Sequence, residues 1–195
     1  MMRQGFVFVV SGPSGSGKST LVERLIRDRR LRTRLTRSVS FTTRPKRSGE
    51  RQAKDYFFIS ESRFRQLLRA KKILEWTRYL RYYYGTPREF VDEQFKRGKH
   101  VILCLDFKGA LRLRRILPRN TVTVFILPPS LEALRSRIRE RCRHTKEKEI
   151  RQRLGLADRE MRLAHKYDYR VENKNLNQAL MALKGIILEK IGYKA

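Results

Sequence analysis

The sequence predicts an α/β fold around a parallel sheet, and three observations carry the prediction. Apolar runs of strand character recur at residues 6–10, 101–105 and 122–127, each bounded by Gly, Pro or polar residues. Stretches of helical periodicity separate these runs. A glycine-rich loop from Gly12 to Thr20 joins the first run directly to the first helical stretch.

Taken in order, residues 6–10 (FVFVV) are apolar without alternation, as expected of a buried parallel strand. Leu21, Leu25 and Ile26 then open a helix. Residues 37–87 depart from simple alternation. They contain a helical stretch at Phe64, Leu67 and Leu68, but mostly β-type and turn residues with many aromatics, among them Tyr56, Phe57, Phe58, Trp76, Tyr79, Tyr82, Tyr83 and Tyr84. A small sheet-containing insertion between the first two core strands is expected. The second core strand, VILCL, ends on Asp106, and the third is followed by helical spacing at Leu131, Leu134 and Ile138. Residues 129–153 hold nine Arg and Lys, a density that excludes them from the core. A lid closing over phosphates and a solvated helical hairpin are both open readings. Ile150, Leu154, Ala157, Met161 and Ala164 mark a long amphipathic helix. Residues 169–171 suit a short edge strand, and Leu176, Leu180, Leu183, Ile187 and Ile191 mark a last helix capped by Asn175 with Gln178 three residues later. One domain results: a core of 1–36, 88–128 and 154–195, the insertion 37–87, and the lid 129–153.

Composition sets bounds. At 195 residues and 40% hydrophobic content the chain can bury one substantial core. No run approaches the roughly 18 apolar residues of a membrane span. The N-terminus enters the first strand without a leader, so a cytoplasmic location is expected. Cys104 and Cys142 lie in different elements without Cys-x-x-Cys spacing, so neither a disulfide framework nor a zinc site is suggested, and His100, His144 and His165 are scattered. The net charge is +28, from 32 Arg and 15 Lys against 19 acids. Such a charge attracts polyanions, and counterion release rewards nonspecific nucleic-acid binding by any dense basic surface. Against a dedicated nucleic-acid module, the charge is spread along the chain, with no RNA-binding aromatic signature.

The chemistry begins at GPSGSGKST, which satisfies Gly-x-x-x-x-Gly-Lys-Ser/Thr with Gly12, Gly17, Lys18 and Ser19. Glycines let consecutive backbone N–H groups turn inward on a phosphate. Pro13, Ser14, Gly15, Ser16 and Thr20 complete the loop, Lys18 can reach the outer phosphates, and the Ser19 hydroxyl can ligate Mg²⁺. This chain binds a nucleoside triphosphate. Asp106, at the end of an apolar strand, is the candidate to hold the magnesium through water opposite Ser19. In SVSFTTRPKR, Ser40, Arg44 and Arg47 stand close together, and a hydroxyl with two guanidinium forks makes a phosphate clamp.

SGPSGSGKSTL, SVSFTTRPKRSGE, KDYFFIS, ILEW, YYGTP, LD with KGA, FILPPSLEAL and YDYRVEN follow one another in this chain. In that order and spacing the chain resembles the guanylate kinases over essentially its whole length. The resemblance implies the P-loop nucleoside-monophosphate-kinase fold and the reaction of ATP with GMP to give ADP and GDP, with magnesium between the triphosphate oxygens. It implies that Ser40, Arg44, Arg47, Tyr56 and Tyr84 hold the monophosphate and that Glu75 and Thr86 read the guanine edge, with Asp106 beside them. A carboxylate at Glu75 can accept from guanine N1–H and the 2-amino group, a donor pair adenine lacks. Lys18, Arg137, Arg153 and Asp106 would serve transfer, with Arg141 a further lid arginine, and Asn173 would lie near the adenine.

The chain also departs from that pattern. Cys104 stands where relatives usually carry a second carboxylate, which would lie beside the acceptor. Arg81-Tyr82 and Lys108 replace smaller or neutral residues, and Cys142-Arg143-His144-Thr145-Lys146 replaces the common lid stretch. The rival readings are a guanylate-kinase-like binding module without catalysis and a kinase for another phosphorylated small molecule. Intact Lys18 and Ser19 argue against the first; Glu75 and Thr86 argue against the second.

Overall fold

The computed structural model describes residues 5–141 and 147–192. The chain runs β1 (Val7–Ser11), α1 (Lys18–Leu25), β2 (Leu35–Arg37), β3 (Phe41–Thr42), β4 (Phe57–Phe58), α2 (Glu61–Arg69), β5 (Ile73–Tyr79), β6 (Tyr82–Pro87) and α3 (Arg88–Lys96). It continues through β7 (His100–Cys104), α4 (Phe107–Ile116), β8 (Thr121–Leu127), α5 (Leu131–Arg141), α6 (Glu147–Arg162), a 3₁₀ turn (Ala164–Lys166), β9 (Tyr169–Glu172) and α7 (Leu176–Lys190).

Five strands form the central sheet in the order β2-β7-β1-β8-β9, with every pair parallel. Alternation of side chains explains why its middle strands read as unbroken apolar runs. Phe8, Val10, Ile102, Val124 and Ile126 turn toward Leu21, Val22 and Leu25 of α1 and Leu183 and Ile187 of α7. Val7, Val9, Val101, Leu103 and Phe125 turn the other way, onto Val91 of α3 and Ala110 and Leu113 of α4. The expected edge strand is β9. Asn175 caps α7, its Oδ1 accepting from the N–H groups of Asn177 and Gln178.

A second, mostly antiparallel sheet of order β4-β3-β6-β5 lies wholly within residues 41–87 and packs on α2 through Phe64, Leu67 and Ile73. No helix among the described residues is long and apolar enough to cross a membrane.

Two expectations are corrected. The second core strand does not run to Asp106: β7 ends at Cys104, and Asp106 is the N-cap of α4, its Oδ1 accepting from Gly109 N–H at 2.8 Å. The arginine-dense segment is not coreless, because Leu134 and Ile138 of α5 pack on Ile150 and Ala157 of α6, and Arg153 of α6 is itself buried at 7% exposure. Apolar residues at helical spacing suffice for a private core between two helices whose other faces are basic. β2, α3 and α4 were also not separated from their surroundings in the sequence. Residues 142–146, with Cys142 and the altered lid stretch, lie outside the described residues.

Candidate active site

The C-terminal ends of parallel strands leave a crevice where connections diverge, and here a cavity of about 590 Å³ occupies it. Its floor is the loop after β1. Gly17 is the N-cap of α1 with φ +91°, in the left-handed region, and a Cβ there would collide with Asn173 Nδ2. Glycine is required on both counts. Gly12, Ser14, Gly15, Gly17, Lys18, Ser19 and Thr20 line the cavity, whereas Pro13 and Ser16 stand behind it. Their carbonyls shape the loop: Lys18 Nζ donates to Pro13 O at 2.8 Å and to Gly12 O, and Asn173 Nδ2 donates to Ser16 O at 2.8 Å. Asn173 lines the cavity and also braces the loop from the sheet's β9 side.

At the far end, the second sheet supplies Ser40, Arg44, Arg47, Tyr56 and Tyr84 to the same cavity. Arg44 is buried, its Cζ 5.5 Å from the Tyr56 ring centroid, and the Tyr56 and Tyr84 rings meet edge-on at 5.8 Å. Glu50 organises this end, accepting from Arg44 Nη2 at 2.7 Å through Oε1 and from Arg47 N–H at 2.9 Å through Oε2. Burial works to raise the Glu50 pKa, but the bonds from Arg44 and Arg47 outweigh it and hold the carboxyl below its usual value.

Glu75 and Thr86 lie behind the cavity wall rather than on it, at 3% and 0% exposure. Thr86 Oγ1 donates to Glu75 Oε1 at 2.6 Å. The other oxygen, Oε2, is buried without a hydrogen-bond partner among the described residues. Both Glu75 Oε2 and Asp106 Oδ1 crowd Gly109, where a Cβ would lie 2.9 Å from the first and 3.2 Å from the second. Burial, reinforced by the charge of Asp106, pushes the Glu75 pKa up to about 7. Asp106 lines the cavity, with Thr77 Oγ1 donating to its Oδ2 at 3.0 Å.

Arg137 and Arg153 reach the cavity from α5 and α6, and Arg137 Nη1 donates to Gly15 O at 3.1 Å. Helix α5 thus rests on the glycine loop. Sequence reasoning missed Glu160, Tyr79 and Thr77 in the lining, and Glu50 behind it. Glu160 was findable, since it follows Arg153 by seven residues, two helical turns, and so shares its face. Burial raises its pKa to about 7 against the pull of Lys18. Glu50 ends the SVSFTTRPKRSGE stretch and gained no role from it, because nothing local shows that its partner is Arg44.

Cys104 lines the cavity and packs against the α1 and α7 side of the core. Burial raises its thiol pKa, and its charged neighbours are Lys18, Arg37 and Glu23. Position 104 therefore faces the phosphate loop, while Asp106 faces Glu75. That reverses the expected surroundings of a carboxylate at 104.

Residues 4–190 match the family model described as guanylate kinase. The chain belongs to the guanylate kinase family. A guanylate kinase of Wolbachia sp. subsp. Brugia malayi (strain TRS) is 39% identical over 184 residues, covering 94% of this chain and 92% of the relative. One from Caldanaerobacter subterraneus subsp. tengcongensis is 40% identical over 186 residues, covering 95% and 88%. The crystal structure of guanylate kinase from Anaplasma phagocytophilum superposes with a TM-score of 0.79 at 28% identity, covering 96% of this chain and 86% of that one. As a guanylate kinase family member the chain is a phosphotransferase of the nucleotide-kinase type, and the glycine loop, the second sheet and helices α5 and α6 all contribute residues to one cavity.

Proposed function

We propose that this guanylate kinase family member transfers the γ-phosphoryl group of ATP to the phosphate of GMP, giving ADP and GDP. The observation that carries GMP as acceptor is the orphaned Glu75 Oε2, a buried acceptor atom beside the cavity. Buried polar atoms without partners are rare and need a reason. Guanine N1–H and the 2-amino group supply two donors to one carboxylate; adenine supplies none there.

In this reading the backbone N–H groups of the loop and Lys18 cradle the β- and γ-phosphates, and Arg44, Arg47, Tyr56 and Tyr84 fix the acceptor phosphate at the far end. Thr86 orients the Glu75 carboxylate. Arg137 and Arg153 cover the transferring group from the lid, neutralising charge and excluding water. No covalent intermediate on the protein is needed. The donor set fits a hard cation held chiefly by substrate: a Ser19 hydroxyl at the cavity edge, and on Asp106 the lone pairs left by Gly109 and Thr77, which would act through water. Mg²⁺ bound there supplies neutralisation of the phosphate oxygens during transfer. In this reading the second sheet with α2, and the helices α5 and α6, close over the two substrates, and a cytoplasmic location belongs to the same reading.

A coupled ADP-release assay with ATP against GMP, AMP, CMP, UMP and IMP tests the assignment. GMP should be preferred strongly over AMP. Equal use of AMP and GMP would overturn it.

A further inference from the structure

In a parallel sheet every strand starts at the same end, and here that end lies opposite the cavity. The segments feeding β2, β7, β8 and β9, counted with the helix ends that precede them, cover residues 27–34, 96–99, 114–120 and 166–168. Together they carry twelve Lys and Arg against two Asp. Both acids are spent: Asp28 accepts from Lys184 Nζ at 2.5 Å and from Arg30 N–H at 2.9 Å, and Asp168 from Arg114 Nη2 at 2.6 Å and from Thr123. Arg27, Arg29, Arg30, Arg32, Lys96, Arg115, Arg119 and Lys166 are exposed.

The sheet fixes how these loops are arranged. His100 N–H donates to Arg34 O at 2.7 Å, setting the first two loops side by side, and Val7 N–H donates to Asn120 O at 2.8 Å, anchoring the third beside β1. Across five strands at about 4.8 Å each the loops form a stripe roughly 20 Å long. A duplex presents a phosphate about every 3.4 Å along each strand, so the stripe matches several phosphates of one backbone.

We propose that this strand-entry rim is a sequence-independent docking surface for the phosphate backbone of a nucleic-acid duplex, separate from the catalytic cavity. Arginine forks suit phosphate oxygens. The rim's exposed side chains include no aromatic on which an unpaired base could stack, which favours a duplex over a single strand. An anionic membrane is the less favoured partner, since stable membrane anchoring needs apolar insertion. Ile116, at 43% exposure, is the lone large exposed hydrophobic of the rim among the described residues.

The test is fluorescence anisotropy of a labelled 20-base-pair duplex, titrated with the full chain from 50 to 300 mM salt in saturating ADP and GMP. Binding should persist with both nucleotides present. R29Q/R30Q/R32Q should reduce the magnitude of the log K against log[salt] slope by about 2–3, at roughly 0.9 for each phosphate that is no longer neutralised, with kinase activity unchanged and the melting temperature not lowered. A control of equal charge on the insertion, R63Q/R65Q/R69Q, should reduce it by less than one. K96Q/R97Q/K99Q provides a second rim variant if the first does not fold. The proposal is overturned if nucleotides displace the duplex, if the control lowers the slope as much as a rim variant, or if phosphatidylserine vesicles bind more tightly than the duplex at the same salt.

Discussion

Lys18 is partly buried, not the exposed loop lysine its position suggests, and it donates to two carbonyls of its own loop. Lys18→Ala should therefore lose phosphoryl transfer by at least ~100-fold, the scale of removing a principal electrostatic donor. Steady-state assays and a thermal melt together check it; activity within a few-fold of the parent would exclude the glycine loop as donor site. Glu75 gives a pH-dependent expectation. Its folded pKa of about 7 lies above the ordinary 4.5, so as pH rises between those values the unfolded chain sheds its proton first and folding stability falls. Neutral Glu75→Gln should melt a few degrees higher than the parent at pH 8 but not at pH 4.5, while GMP selectivity drops by tens-fold through loss of a charge-assisted bond worth about 1.5–3 kcal/mol. A shift independent of pH would show that the carboxylate is not the stressed group. At Cys104 the neighbours Lys18 and Arg37 decide the outcome. Cys104→Asp should alter the KM for ATP while leaving the GMP-to-IMP ratio within about twofold, since the charges beside it are Lys18, Arg37 and Glu23; a tenfold rise in that ratio would restore the expectation that a carboxylate at 104 lies beside the acceptor.

Among the elements, legibility followed length and periodicity. β1 and β8 stand out because each buries five consecutive residues, four of them apolar, and α7 because buried apolar residues recur along it at helical spacing. β2 does not, for its three residues LTR lie beside an arginine run and owe their strand form to pairing with β7. Likewise α4 begins where an apolar strand was expected to end, because Asp106 reads equally well as a strand-terminal carboxylate and as a helix cap. The glycine loop was legible residue by residue, being local in sequence; Glu75 and Thr86 were reached only through resemblance, and the approach of Gly109 from a third element was not reached at all. Its packing yields a test on α4. Gly109→Ala improves helix propensity by about 1 kcal/mol, yet its Cβ would press on Glu75 Oε2 at 2.9 Å. The KM for GMP should rise about tenfold or more with that for ATP unchanged; an unaltered GMP KM would mean that Glu75 can shift without cost. In the lid, exposed Arg137 and buried Arg153 should separate. Either alanine variant should lower kcat, but only Arg153→Ala should also lower the melting temperature.

At the scale of the whole molecule, a +28 charge in 195 residues imposes self-repulsion on the compact state. Raising NaCl from 20 to 300 mM should increase the melting temperature by several degrees, a shift opposite to that expected if surface ion pairs dominated stability. The order of the central sheet, which sets the cavity at one end and the basic rim at the other, could not be read from apolar runs, since strand order depends on contacts far apart in sequence. The lid's private core has a further consequence. Leu134, Ile138, Ile150 and Ala157 pack on one another, and α5 meets the phosphate loop through a contact centred on Gly15 and Arg137. A movement of the helix pair away from the loop would uncover the Gly15 side of Leu134 and Ile138 but keep the contacts between the two helices. The pair's amides should exchange with deuterium as a single cooperative block, distinct from the central sheet, and ATP should slow that block as a unit instead of protecting residues one by one.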